Sequence, residues 1–121
     1  EGTEIPLFLA ARDETGTVIG GLEGLILYKW LRISIMAVAP LNRRNGVGTD
    51  LVRRAERLAL QHDCLHAFVD TMSYQAPDFY EKLGYNVVGR VPNWDSHGHD
   101  KVYLTKDLDT DNDDHSDQKS P

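Results

Sequence analysis

The stretch from Leu31 to His62 narrows the possible folds more than any other part of the chain. Leu31, Ile33, Ile35, Met36, Ala37 and Val38 make a nearly unbroken apolar run. Such a run suits an interior strand buried on both faces. Pro40 closes it, because proline cannot continue an interior hydrogen-bond ladder. A basic, glycine-bearing loop follows, from Leu41 to Thr49. A helix is expected over Gly46–His62. There Val47, Leu51, Ala55, Leu58 and Ala59 recur at helical spacing, with Asp50, Arg53, Arg54 and Arg57 elsewhere on the surface.

Upstream, Pro6–Arg12 reads as a strand, Asp13-Glu14-Thr15-Gly16 as a turn and Thr17–Tyr28 as the returning strand of a hairpin. Gly20 and Gly21 inside that strand mark either a bulge or close backbone approach, or a simple bend. Downstream, Cys64–Asp70 reads as a strand and Ala76–Leu83 as a short helix, with Pro77 in its first turn and Gly84 as its stop. Tyr85–Val91 and Lys101–Thr105 read as strands around a histidine- and glycine-bearing loop, Pro92–Asp100. The whole is one mixed α/β domain over 1–108, followed by an acidic tail, 109–121, with the composition of disorder.

Composition sets the outer limits. At 121 residues and 13.6 kDa the chain is about one domain. The formal charge is −6, of which −5 falls in residues 107–121, so a broadly basic nucleic-acid surface is not supported. No apolar run approaches the roughly 18 residues of a membrane span. No basic leader opens the chain, and no signal peptide is expected. A single cysteine, Cys64, allows no internal disulfide and gives no metal pattern. A reducing, cytoplasmic setting is expected.

The chemistry points to the loop. Arg43-Arg44-Asn45-Gly46-Val47-Gly48 opens a helix directly after a strand and a proline. Glycines let the backbone approach a ligand, helix-start amides bind anions, and guanidinium groups suit phosphate oxygens. Together they describe a pyrophosphate cradle. A structural turn with incidental arginines is the competing reading. The dinucleotide fingerprint and the Lys-Ser/Thr phosphate loop are both absent.

This segment resembles the GNAT superfamily of acyl-CoA-dependent N-acyltransferases, whose signature Arg/Gln-x-x-Gly-x-Gly/Ala is matched by Arg43 to Gly48. A second match is Ala76-Pro77-Asp78-Phe79-Tyr80-Glu81-Lys82-Leu83-Gly84-Tyr85. The run Asp70 to Ala76, and Gly98-His99 before Tyr103, resemble a bacterial subgroup of small acetyltransferases. The resemblance covers about residues 6 to 108. It implies a mixed, mostly antiparallel twisted sheet with flanking helices, and acetyl-CoA as the cofactor. It implies that backbone groups of Met36, Ala37 and Val38 hold the pantetheine arm. The pyrophosphate would fall to Arg43, Arg44, Asn45, Gly46, Val47, Gly48 and Thr49, with Gln75 and Tyr80 further along the cofactor.

Two departures bear on that reading. The family begins with a strand and two helices before its first hairpin. Only five residues precede Pro6, so an N-terminally truncated form of the fold is expected. The apolar surface this exposes, near Leu7, Phe8, Leu9, Val18 and Ile19, predicts a homo-oligomer. Many relatives also carry a glutamate where this chain has Ser34, a poor base.

The expected function is transfer of an acetyl group from acetyl-CoA to a primary amine, on a small molecule or a peptide. Tyr80 is the expected general acid, since a phenol can protonate the leaving thiolate. Glu23 and Ser34 are named as catalytic candidates beside it. For the base, Asp70, His97 and His99 stand as further candidates. Tyr28, Trp30, Tyr74 and Trp94 either line an acceptor pocket or pack against the missing N-terminal elements, and the sequence leaves both readings open. The alternatives are a CoA-binding module, or a dimerising fragment, without turnover. No nucleic acid, membrane or metal is expected.

Overall fold

The structure, a computed structural model, describes residues 3–108; the acidic segment 109–121 lies outside the described residues. Six strands and two helices follow the order β1 (Ile5–Arg12), β2 (Val18–Leu27), β3 (Trp30–Val38), α1 (Val47–Gln61), β4 (His66–Met72), α2 (Pro77–Lys82), β5 (Asn86–Val91) and β6 (Lys101–Asp107). A single 3-10 turn, Pro40–Asn42, joins β3 to the loop before α1. The described chain divides into two units, one of residues 3–67 with 107–108 and one of residues 68–106.

In the first unit β1 and β2 pair antiparallel, as do β2 and β3. Asp13 closes the first hairpin: its Oδ1 accepts from the backbone N–H of Thr15 at 2.8 Å and of Thr17 at 3.1 Å. The second hairpin turns on Tyr28 and Lys29, both left-handed (φ 56° and 69°), between the paired residues Leu27 and Trp30. A two-residue turn of that hand matches the twist of the strands it joins.

The expectation that β3 is buried on both faces is corrected here. Leu31 and Ile33 are buried, but Ile35 is 57% exposed. The register explains the pattern. Glu23 faces Ile35 and Gly24 faces Ile33, so Ser34 is an extra residue on β3. Such a bulge breaks the alternation of faces, and Ser34 and Ile35 are both exposed. Phe8, Glu23 and Ile35 lie opposite one another across the three strands, all exposed. Of the residues expected to form an open apolar patch, Phe8 and Val18 are exposed, Leu7 is buried, and Leu9 and Ile19 are half-buried.

Helix α1 packs against β1, β2 and β3. Its buried residues are Leu51, Val52, Ala55, Glu56 and Ala59, whereas Val47 and Leu58 are half-buried. Glu56 is buried beside Arg53, whose Nη1 donates to Oε1 at 3.0 Å. Gly20 shows why this strand carries glycine. A Cβ there would lie 3.0 Å from Val47 Cγ1 and 3.3 Å from Leu51 Cδ1. The close-approach reading holds, and the neighbouring register slip leaves Ile19 as an extra residue beside it.

In the second unit the strand order is β4-β6-β5, with β5 and β6 antiparallel. Val69, Tyr80, Leu83, Tyr85, Val102 and Leu104 are buried in it. Gly84, left-handed at φ +100°, follows α2, as its sequence position predicts. Tyr80 meets Tyr85 edge-on at 5.6 Å between ring centres.

Gly24 offers a direct test of the β2–β3 register. A Cβ there would stand 2.5 Å from the Arg32 carbonyl oxygen, whereas at Gly21 the nearest atom is an ordinary 3.5 Å away. Gly24→Ala is therefore expected to lower unfolding free energy by roughly 1–3 kcal/mol, and Gly21→Ala far less, in urea denaturation. Equal effects at the two sites would contradict the register.

Candidate functional site

In the first unit the candidate site is the turn that launches α1. Gly46 stands at the helix N-cap with φ +82° and ψ +4°, a left-handed conformation that strains any residue with a Cβ. The helical ladder begins with Asp50 N–H donating to the Gly46 carbonyl at 2.9 Å. The amides of Val47, Gly48 and Thr49 precede that ladder, and no side chain caps them. An unclaimed set of helix-start amides, with the positive end of the helix dipole behind it, fits an anionic phosphate. Asp50 sits in this first turn, but its carboxylate lies 3.6 Å from Arg54 Nη1, which offsets the charge.

The two arginines of the loop differ in use. Arg43 Nε–H donates to the Val38 carbonyl at 3.2 Å, tying the loop back to the end of β3. Arg44 adopts a left-handed backbone (φ 73°) and is exposed, as Asn45 is. The segment Met36-Ala37-Val38 ends β3, and Ala39 N–H closes the ladder onto the Ile19 carbonyl at 2.8 Å. Glu23 and Ser34 are exposed near each other, at the β3 bulge. In this unit the Trp30 and His66 rings meet at a 33° tilt, 4.6 Å between centres, and Tyr28 projects from the hairpin turn, 73% exposed.

The second unit carries Tyr80, on α2. Only 4% of its surface is exposed. Burial, reinforced by the charge of Asp70, pushes its phenol up to about 12. Asp70 Oδ2 is 3.0 Å from Lys101 Nζ, which also lies 4.4 Å above the Trp94 ring. Gln75 closes the turn after β4: its Oε1 accepts from the Met72 N–H at 2.9 Å and from the Thr71 hydroxyl at 3.1 Å.

The loop between β5 and β6 is built around Asp95. Its Oδ1 accepts from the backbone N–H of His97 at 2.9 Å and of His99 at 3.2 Å, and its Oδ2 lies 2.6 Å from His99 Nδ1. These bonds, led by the one from His97, hold the Asp95 carboxyl below the usual range. Tyr74 packs edge-on against the His99 ring at 4.7 Å. His97 and His99 were legible as titratable loop residues. Their partner Asp95 was not, because a carboxylate four residues away in a loop has no periodic signal. The Asp70–Lys101 pair joins two different strands and leaves no mark in sequence order.

These features are those of an acyl-CoA N-acyltransferase fold, and comparison with known proteins agrees. The profile of the Acetyltransferase (GNAT) family matches residues 2–85. The blasticidin-S acetyltransferase of Streptomyces morookaense is 34% identical over 85 residues, covering 69% of this chain and 62% of that enzyme. The chain thus spans less than two thirds of that relative's length. The crystal structure of an acetyltransferase from Bacillus cereus superposes with a TM-score of 0.83 at 30% identity, over 88% of this chain and 76% of that one. An aminoglycoside 6'-N-acetyltransferase complexed with coenzyme A shares the fold, with a TM-score of 0.76 at 20% identity, over 86% of this chain and 73% of that one. The chain belongs to the GNAT acetyltransferase family. Among the described residues no helix is long and apolar enough to cross a membrane.

The raised phenol of Tyr80 carries a sign that can be checked. Its folded value, about 12, lies above the ordinary 10. The stabilisation from keeping it neutral is therefore complete below pH 10 and is lost as pH rises from 10 to 12. Relative to Tyr80→Phe, the unaltered protein should lose on the order of 1 kcal/mol of stability between pH 9 and pH 11. Urea denaturation at those pH values measures the difference; no relative loss would mean that the phenol is not shifted.

Proposed function

We propose that the chain transfers an acetyl group from acetyl-CoA directly to the primary amine of a small, cationic acceptor. The observation that carries this reading is the uncapped helix start at Gly46, placed directly after β3 in a member of the GNAT family. Acetyl-CoA supplies an acyl group already activated as a thioester. The amides of Val47, Gly48 and Thr49, with Arg44 and Asn45, are assigned to its pyrophosphate, and the backbone of Met36, Ala37 and Val38 to its pantetheine arm. Arg43 acts from behind, by fixing the loop to Val38. Gln75 shapes the turn after β4 and is assigned to the cofactor's reactive end.

Tyr80 is assigned to the leaving sulfur. A phenol pushed up to about 12 gives up its proton to a thiolate less readily than an ordinary phenol does. Tyr80 therefore serves as a hydrogen-bond donor to the charge that develops on sulfur, and as a relay for a proton arriving from elsewhere. Glu23 and Ser34 are assigned to the acceptor's ammonium group and its water. Blasticidin S is the first acceptor to try, because the 34% identical relative is named for it.

The test combines calorimetry and thiol release on the full chain. Acetyl-CoA should bind, and thiol release should depend on the amine. Gly46→Val should weaken binding at least tenfold, since each lost charge-assisted hydrogen bond costs about 1.5–3 kcal/mol. Tyr80→Phe should bind normally and lose about 10²–10⁴-fold in kcat. Binding without turnover in the unaltered chain would leave a CoA-binding module; no binding would end the reading.

The same reading includes a cytoplasmic, self-associating protein. Exposed Phe8 and Ile35, opposite each other across β2, supply the apolar surface. Light scattering should report a dimer or larger species at micromolar concentration, and a clean monomer would remove this part.

A further inference from the structure

Building on the transfer reading above, we propose that His99 is the base that takes the proton from the acceptor's ammonium group, with Asp95 as the residue that positions its ring. Asp95 Oδ2 lies 2.6 Å from His99 Nδ1. A carboxylate only accepts, so the neutral ring carries its hydrogen on Nδ1 and presents a lone pair on Nε2. Nε2 has no hydrogen-bond partner among the described residues, and the side chain is 44% exposed, so an incoming amine can reach it. The edge of Tyr74 at 4.7 Å limits how the ring can turn. Asp95 is itself fixed, because Oδ1 accepts two backbone N–H groups of its own loop.

The pair sits where the chemistry of this unit gathers. Ser73 N–H donates to the Asp100 carbonyl at 2.8 Å, and Asp100 N–H donates to Ser73 Oγ at 3.0 Å. This double clamp holds the residue after His99 to the turn leaving β4. The next residue, Lys101, pairs at 3.0 Å with Asp70, the carboxylate whose charge also acts on Tyr80. Arg90 faces Asp100 at 3.9 Å, so both nearby cations lean on other carboxylates and leave Asp95 to His99. His97 lacks this arrangement: among the described residues no carboxylate orients its ring. The exposed ring of Tyr74 against His99 favours a cationic amine over a neutral one.

The step balances as follows. An ammonium group gives one proton to His99 Nε2 and becomes a nucleophile. The nitrogen–carbon bond forms and the carbon–sulfur bond breaks. The second nitrogen proton ends on sulfur, with Tyr80 as relay, and His99 returns its proton to water. The products are an amide, a free thiol and one proton.

The experiment uses the full chain with acetyl-CoA and three acceptors: blasticidin S, spermidine and kanamycin. With whichever acceptor is turned over, His99→Ala should lower kcat by about 10²–10³-fold, with the KM for acetyl-CoA within about twofold. About 50 mM imidazole should restore at least tenfold of that loss, which repair of a merely structural defect would not. Asp95→Asn should lower kcat by about tenfold through the wrong tautomer. Nitrogen NMR of the unaltered protein reads that tautomer without any variant, and His99→Gln stands in if the alanine variant does not fold. Three results overturn the assignment alone: turnover of the His99 variants within threefold of the unaltered chain, a loss that imidazole does not restore, or a neutral ring protonated on Nε2. No turnover of any acceptor by the unaltered chain overturns the transfer reading, and this inference with it.

Discussion

A chain that passes from a strand into a helix leaves the helix's first amides without partners inside the helix. Here the left-handed turn at Gly46 determines where those amides lie, and no side chain caps them. The surroundings hold that turn from both sides. Arg43 ties the loop to the last carbonyl of β3, and α1 lies so close to β2 that a Cβ at position 20 would press on Val47 and Leu51. The buried face of α1, from Leu51 to Ala59, supplies the apolar contact that keeps its first turn in place.

The second unit shows a different compromise. Tyr80 is part of a core of aromatic rings and is also the residue assigned to the leaving group. The burial that makes it a good core residue keeps its proton tightly held. A buried phenol is thus better suited to stabilising a developing thiolate than to giving up a proton. The loop around Asp95, nearer water, holds a histidine ring already oriented by its carboxylate.

Much of this was legible in the chain. Strand and helix limits read from apolar runs, Pro40, Pro77 and Gly84 fall within about two residues of those observed, because those signals act locally. Helix α1, expected over Gly46–His62, spans Val47–Gln61. The glycine loop and Tyr80 stood out for the same reason, since their residue types and spacing are contiguous in sequence. The bulge at Ser34 did not. An apolar run cannot reveal that one residue is inserted against the partner strand, so the exposure of Ile35 contradicted the pattern. Burial of Glu56 was equally hidden, because a charge reads as surface until Arg53 is seen beside it.

The sequence by itself determined the order of elements, the family and the residue types of the glycine loop before α1, since each rests on short-range pattern. Tertiary structure alone decided which polar groups far apart in sequence meet. Asp70 finds Lys101 across neighbouring strands, and the Asp100 backbone N–H finds Ser73 Oγ across 27 residues. Such pairings depend on how distant backbone segments are brought within about 3 Å, and hydrogen bonds fade steeply beyond that distance. No one-dimensional pattern carries that information.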